Sequence, residues 1–337
     1  MMARTTKDDV VKHFAENVNG VATGVYGFVD DELDARMLIA DDSASLATFI
    51  ENCDSNAVWS GDNSGHGLSD RQYDLEWVGR PEGIDGDVVL KTRDFFDAFG
   101  KARDEDIEAV SGQRGGVMDS IDNIDLSDFE SKIRWISSLP GRVDSLRLLR
   151  GESNFARRRV RSKAPVEAVC LGIPMTASWS VDADAIMARA AVAICAAEIL
   201  QDYGFAVEIW AFAYSRDLFR SGPSNGLAAV RLKAADDPFN EAEITSGASC
   251  WFYRTALFSM WGAMGRGDVN GGLGYPEALS KEKRKAVARC LGLHKAHIMR
   301  GIPPGSYSKS QAIKDAIEDV IEALDHWVGD DSEGGDY

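Results

Sequence analysis

The sequence has no apolar run near the roughly 20 residues that a bilayer-crossing helix needs. Its first residues, MMARTTKDDVVKHF, lack the apolar core of a secretory signal. Both absences predict a cytoplasmic protein with no membrane partner. Cysteine is scarce and scattered: the five thiols (Cys53, Cys170, Cys195, Cys250, Cys290) form no C-x-x-C pair, and an odd number argues against a disulfide framework. They read as buried thiols of a reducing compartment. Positive charge is short as well, since 37 Lys and Arg against 54 Asp and Glu leave a formal net charge of -17. Such a field repels phosphate backbones and anionic lipid, so any nucleic-acid role needs a local basic patch.

Catalytic signatures are missing too. There is no G-x-S-x-G nucleophile elbow, no H-E-x-x-H and no kinase set, and the glycines of MGRGDVNGGLG precede no G-K-[ST]. No residue stands out as catalytic, and the expectation is a protein that is not an enzyme. His294 and His297 are three apart in LGLHKAHIM, which reads as a helix, but no adjacent Glu or Cys completes a ligand set.

What is present is enough chain, 337 residues, to bury a large core, and one segment with a clear pattern. Val166 to Tyr214 reads as a buried strand, a loop rich in hydroxyls, an alanine-rich helix and a second buried strand, which is a βαβ unit. Ligands of open α/β sheets collect at the carboxyl ends of strands, so Pro174 to Ser180 is the first place to look for function. After it, LAAVRLKAA reads as a strand with Arg231 and Lys233 outward, and Ser249 to Met264 as a mostly buried helix. Ser308 and Gln311 have capping-box spacing before an apolar stripe running to Val328. Helices are expected over Thr6 to Val18, Ser43 to Asn52, Ser69 to Val78 and within Asp87 to Arg114, with Gly115-Gly116 as a break. The organisation expected is a mainly helical region over 1–149, an α/β domain over 150–265, a helical extension over 266–328 and a disordered acidic tail over 329–337.

The central unit resembles a von Willebrand factor A-like (vWA-like) domain, whose first strand runs into a D-x-S-x-S loop and then a helix. The corresponding residues here are Pro174-Met175-Thr176-Ala177-Ser178. The resemblance implies a three-layer sheet-and-helix α/β fold. It places Thr176 and Ser178 where the family has two metal-coordinating hydroxyls, with Pro174 in place of the first aspartate. A hard divalent cation wants carboxylate oxygens, so the motif is degenerate and no cofactor is expected, Mg2+ being the one candidate ion. Ser180 lies in the same loop, Asp182 is placed to supply a carboxylate or to cap the helix, and Thr245 and Ser246 are the positional match to the family's later Thr loop. A second resemblance rests on Trp59-Ser60-Gly61, on Trp77-Val78-Gly79-Arg80-Pro81-Glu82-Gly83 and on the strand end VEIWAF. These are similar to an uncharacterised family of tailed-phage proteins, which implies a phage origin and the infected host cell as the compartment.

The function expected is an interaction or assembly module that presents the loops 174–180, 215–226 and 245–249 to a protein partner or to a second copy. The alternative is an accessory factor of replication or transcription that binds single- or double-stranded nucleic acid. Its candidate patch is Arg157, Arg158, Arg159, Arg161 and Lys163, with Phe155 available to stack a base, in the one basic stretch of an acidic chain.

Overall fold

The computed structural model describes residues 18–52, 104–121, 133–136, 142–143, 156–159, 168–178, 180–265, 268–270, 275–293, 295–303 and 307–329. The helices expected over Thr6 to Val18 and Ser69 to Val78, the two tryptophan motifs, Phe155, Arg161, Lys163, His294 and the tail from 330 lie outside these residues.

The architecture is α/β in three layers. A mixed sheet has the strand order β1 (Val25–Asp30), β2 (Ala35–Ala40), β8 (Asn225–Lys233), β7 (Ala206–Arg216), β6 (Ala168–Pro174), β10 (Ala296–Ile298), and β9 (Tyr275–Pro276) pairs with the end of β7. β6 is parallel to β7 and to β10, whereas β8 is antiparallel to β7. One sheet face is covered by α1 (Ser43–Asn52), α2 (Asp104–Ile121), α3 (Ala183–Tyr203), α4 (Glu241–Gly247), the run α5 (Cys250–Phe252) to α6 (Phe258–Gly265), and α8 (Lys309–Gly329). The other carries α7 (Lys281–Cys290).

The two faces follow from the period of two along each strand. Val169, Leu171 and Ile173 of β6 belong to the helix-rich core, while Cys170 joins Trp210, Phe212 and Ile298 on the α7 side. Strand β6 is buried on both faces, as a central parallel strand requires. In α3 the small side chains of Ala190, Ala191, Ala193, Ala196 and Ala197 are buried and let the helix lie close against its neighbours. The helix ends at Gly204, whose φ of 104° is left-handed and lets its N–H reach the last turn. At Gly172 the approach of β10 is so close that a Cβ would clash with Ile298 Cδ1.

Several elements differ from the sequence expectations. The sheet recruits β1 and β2 from the region expected to be mainly helical, and β10 from the C-terminal extension. Helix α2 runs through Gly115 and Gly116 to Ile121, because its packing against α3 outweighs the glycine penalty. Lys233 turns inward: it is buried, its Nζ donates to the carbonyls of Val207 and Ala234 at 2.8 Å, and burial lowers its pKa. His297 lies in strand β10, not on a helix. The expected helix over 249–264 forms, with a π-helical turn at Tyr253–Leu257 inside it. Gln311 N–H donates to Ser308 Oγ at 3.2 Å, the cap expected there.

Among the described residues, no helix is long and apolar enough to cross a membrane.

Candidate functional site

The parallel strands β6 and β10 sit side by side, and the helix after β6 crosses toward β7, on the other side. The carboxyl end of β6, the end of a strand at which open α/β sheets place ligands, leads into the turn after Pro174.

This turn is held from three sides. The β6–β7 ladder ends at Pro174↔Phe212, and Met175 N–H still donates to Phe212 O at 2.8 Å. Beyond it the buried Thr176 hydroxyl replaces a backbone acceptor and takes the N–H of Tyr214 at 2.7 Å. The Tyr253 hydroxyl accepts from Ala177 N–H at 3.2 Å and donates to Ala177 O at 3.3 Å. Burial pushes the Tyr253 phenol up to about 12, so it stays protonated and keeps both bonds at neutral pH. Arg254 donates to Val181 O at 2.9 Å.

The hydroxyls of the degenerate motif thus have different jobs. Thr176 closes the end of the ladder, whereas Ser178 is half-buried and Ser180 exposed, their Oγ atoms 3.1 Å apart. Asp182 occupies the N-cap position of α3, yet its side chain makes no cap hydrogen bond and is exposed. Replacing Thr176 by Val should leave the buried Tyr214 N–H without its acceptor. The expected loss is about 1–3 kcal/mol of unfolding free energy; a denaturant midpoint equal to wild type would show that the hydroxyl is dispensable.

Thr245 and Ser246 are not brought to this turn. They lie inside α4 instead of in a loop, fully buried, and neither side-chain oxygen has a hydrogen-bond partner among the described residues. Helix α4 follows the end of β8 that pairs with the start of β7 (Lys233↔Ile209), and its Glu243 accepts from Ser43 at the start of α1. Both contacts belong to the end of the sheet opposite Pro174. Among the described residues, no three of His, Cys, Asp and Glu converge on the 174–182 turn.

The structure adds two side chains that the sequence did not single out. Strand β9 pairs with β7 just past Thr176, with Pro276 opposite Ser215 and Tyr275 opposite Arg216. Tyr275 is 62% exposed, and the Arg216 guanidinium lies over its ring at 6.0 Å. Ser178, Ser180, Asp182, Arg216 and Tyr275 are thereby collected at one end of the sheet. A cavity of about 470 Å³ lined by Tyr26, Trp210, Arg231 and the start of β6 lies at the other end.

Of the basic segment, Arg157 to Arg159 belong to a second, three-stranded antiparallel sheet. Its central strand is β5 (Ala156–Arg159), between β3 (Ile133–Ile136) and β4 (Arg142–Val143). Arg157 is in register with both Trp135 and Arg142, and Arg158 with Arg134.

No curated protein and no solved structure matches this chain. The family model for a domain of unknown function, DUF7192, matches residues 140–324 and so takes in the elements from β4 to most of α8. That span is more than half of the sequence and contains the whole strand-end surface, so the chain belongs to the DUF7192 family.

Proposed function

We propose that this DUF7192 chain is a non-enzymatic interaction or assembly module, phage-encoded, whose vWA-like domain binds a protein partner through the loops at the carboxyl ends of β6 and β7. The observation that carries the reading is the exposed Tyr275 ring under Arg216 beside the pinned 174–182 turn. Tyr and Arg are the residue types that dominate binding energy at protein interfaces. A turn already held by Thr176, Tyr253 and Arg254 loses little freedom on binding. The strand order and the hairpin after the first βαβ unit are compatible with the vWA-like assignment.

The test is affinity capture from phage-infected cells with wild type and with Y275A/R216A, followed by measured binding of the recovered protein. Partner affinity should fall at least about tenfold in the variant while its thermal midpoint is unchanged. Equal affinity would remove this surface from the function.

A second reading has its own observation, the register that aligns Arg157 with Trp135 and Arg142 and Arg158 with Arg134. Arginine and aromatic positions paired across a sheet suit single-stranded nucleic acid. Labelled DNA titrated into the same wild type decides between them: binding that falls steeply with salt and disappears in R157A/R158A/R159A favours the accessory-factor reading.

A further inference from the structure

We infer that His297, Asp319 and Glu322 form a site for one divalent transition-metal ion of the zinc class, which ties helix α8 to the edge strand β10. One candidate donor atom from each residue lies within 4.8 Å of the others. Asp319 and Glu322 are three apart on α8 and so share a helix face. His297 comes from β10, and its ring, 6% exposed, meets Trp327 of α8 edge-on at 6.5 Å. Trp327 in turn donates from Nε1 to Lys295 O at 2.8 Å, which fixes the neighbouring ring against the strand.

The donor set selects the ion. Calcium and magnesium prefer oxygen alone, whereas one imidazole and two carboxylates suit zinc with a fourth position left for water. Donor atoms on a tetrahedral zinc stand about 3.3–3.6 Å apart, from bond lengths of about 2.0–2.2 Å. The exposed Glu322 side chain can supply that closure, while buried Asp319 is already oriented.

Its orientation comes from two arginines. Arg189 donates to Asp319 Oδ2 at 2.6 Å, and Arg300 donates from its backbone N to Oδ2 at 3.1 Å and from Nε to Oδ1 at 2.7 Å. Partners of this kind hold a ligating carboxylate in place. They also compete with the ion for its charge. Arg300 has Glu318 at 3.3 Å to turn to, and Arg284 stands 3.7 Å from Glu322 as a rival for that carboxylate. The site therefore binds metal with moderate affinity, and Arg284 sets how much of Glu322 is available.

The experiment is calorimetric titration of the EDTA-treated full chain with zinc sulfate, beside E322Q, H297Q and R284Q. One zinc per chain is expected, with affinity at least about tenfold weaker in E322Q and in H297Q and tighter in R284Q. Zinc should also raise the thermal midpoint of wild type more than that of E322Q at the same concentration. Since Glu322 is exposed, E322Q tests the site without disturbing the core. Absence of stoichiometric binding, or binding that E322Q and H297Q leave at wild-type strength, would overturn the assignment.

Discussion

Exchanging Asp319 for Asn should lower the unfolding free energy by about 3–5 kcal/mol, because it strips a buried cation of its counter-ion. The Asp319 side chain is completely buried, and that of Arg189 is 2% exposed. Arg189 bridges from α3 to Asp319 of α8 and to the backbone oxygen of Arg300, so the pair joins two helices and the segment after β10. Asn keeps the volume and loses the charge, which leaves Arg189 in a low-dielectric setting where its desolvation is no longer offset. The loss measured in EDTA by denaturant titration isolates the ion pair from any bound metal. A double variant, R189M/D319L, should recover part of the loss: no fully buried ion is then unpaired, while the partly exposed Arg300 keeps Glu318 and loses its two bonds to Asp319. A loss below about 1 kcal/mol in D319N would mean that water reaches Arg189 and solvates it.

Trp261→Ala should cost about 3–5 kcal/mol, the range for emptying a fully packed aromatic site. The ring is 1% exposed, stacked on Phe258 at a centroid distance of 5.3 Å and edge-on to Tyr253 at 6.3 Å. Trp261→Phe separates volume from polarity. The indole Nε1 is buried and has no hydrogen-bond partner among the described residues, so Phe removes a donor unsatisfied there along with part of the ring, and the net cost should stay below about 1.5 kcal/mol. The effect reaches the strand-end surface, because Trp261 packs on Tyr253 and Tyr253 pins Ala177. W261A should therefore weaken partner binding in addition to stability, and W261F should leave it intact. Equal stability of W261A and W261F would show that the site collapses without leaving a cavity.

The strand-end turn was legible from its letters, but its use of them was not. A strand followed by Pro174-Met175-Thr176-Ala177-Ser178 and an alanine-rich helix announces a βα turn, and the turn is there. That Thr176 faces the Tyr214 amide depends on how β6 and β7 align, a pairing between residues 38 apart. Tyr275 gave no signal, since a two-residue strand carries no period, and only its pairing with Arg216 gives it a place. His297 drew notice beside His294 because the pair is close in sequence. Its neighbours in space, Asp319 and Glu322, lie more than twenty residues on, and apolar periodicity on α8 does not mark them.

The sequence by itself determined the local elements whose hydrophobic period or cap is contained within them. These are the buried strands β6 and β7, the alanine-rich α3, the amphipathic α8 behind Ser308, α1, and the buried run from Cys250 to Gly265. Tertiary structure decided what depends on partners far along the chain. It drew β1, β2 and the three-residue β10 into the sheet, carried α2 through two glycines, buried Lys233 on two carbonyls and assembled Arg189, Asp319 and Arg300 into one ionic cluster. The physical reason is the same in each case. A short strand, a helical glycine or a buried charge is unfavourable alone and is stabilised only by groups that folding brings to it.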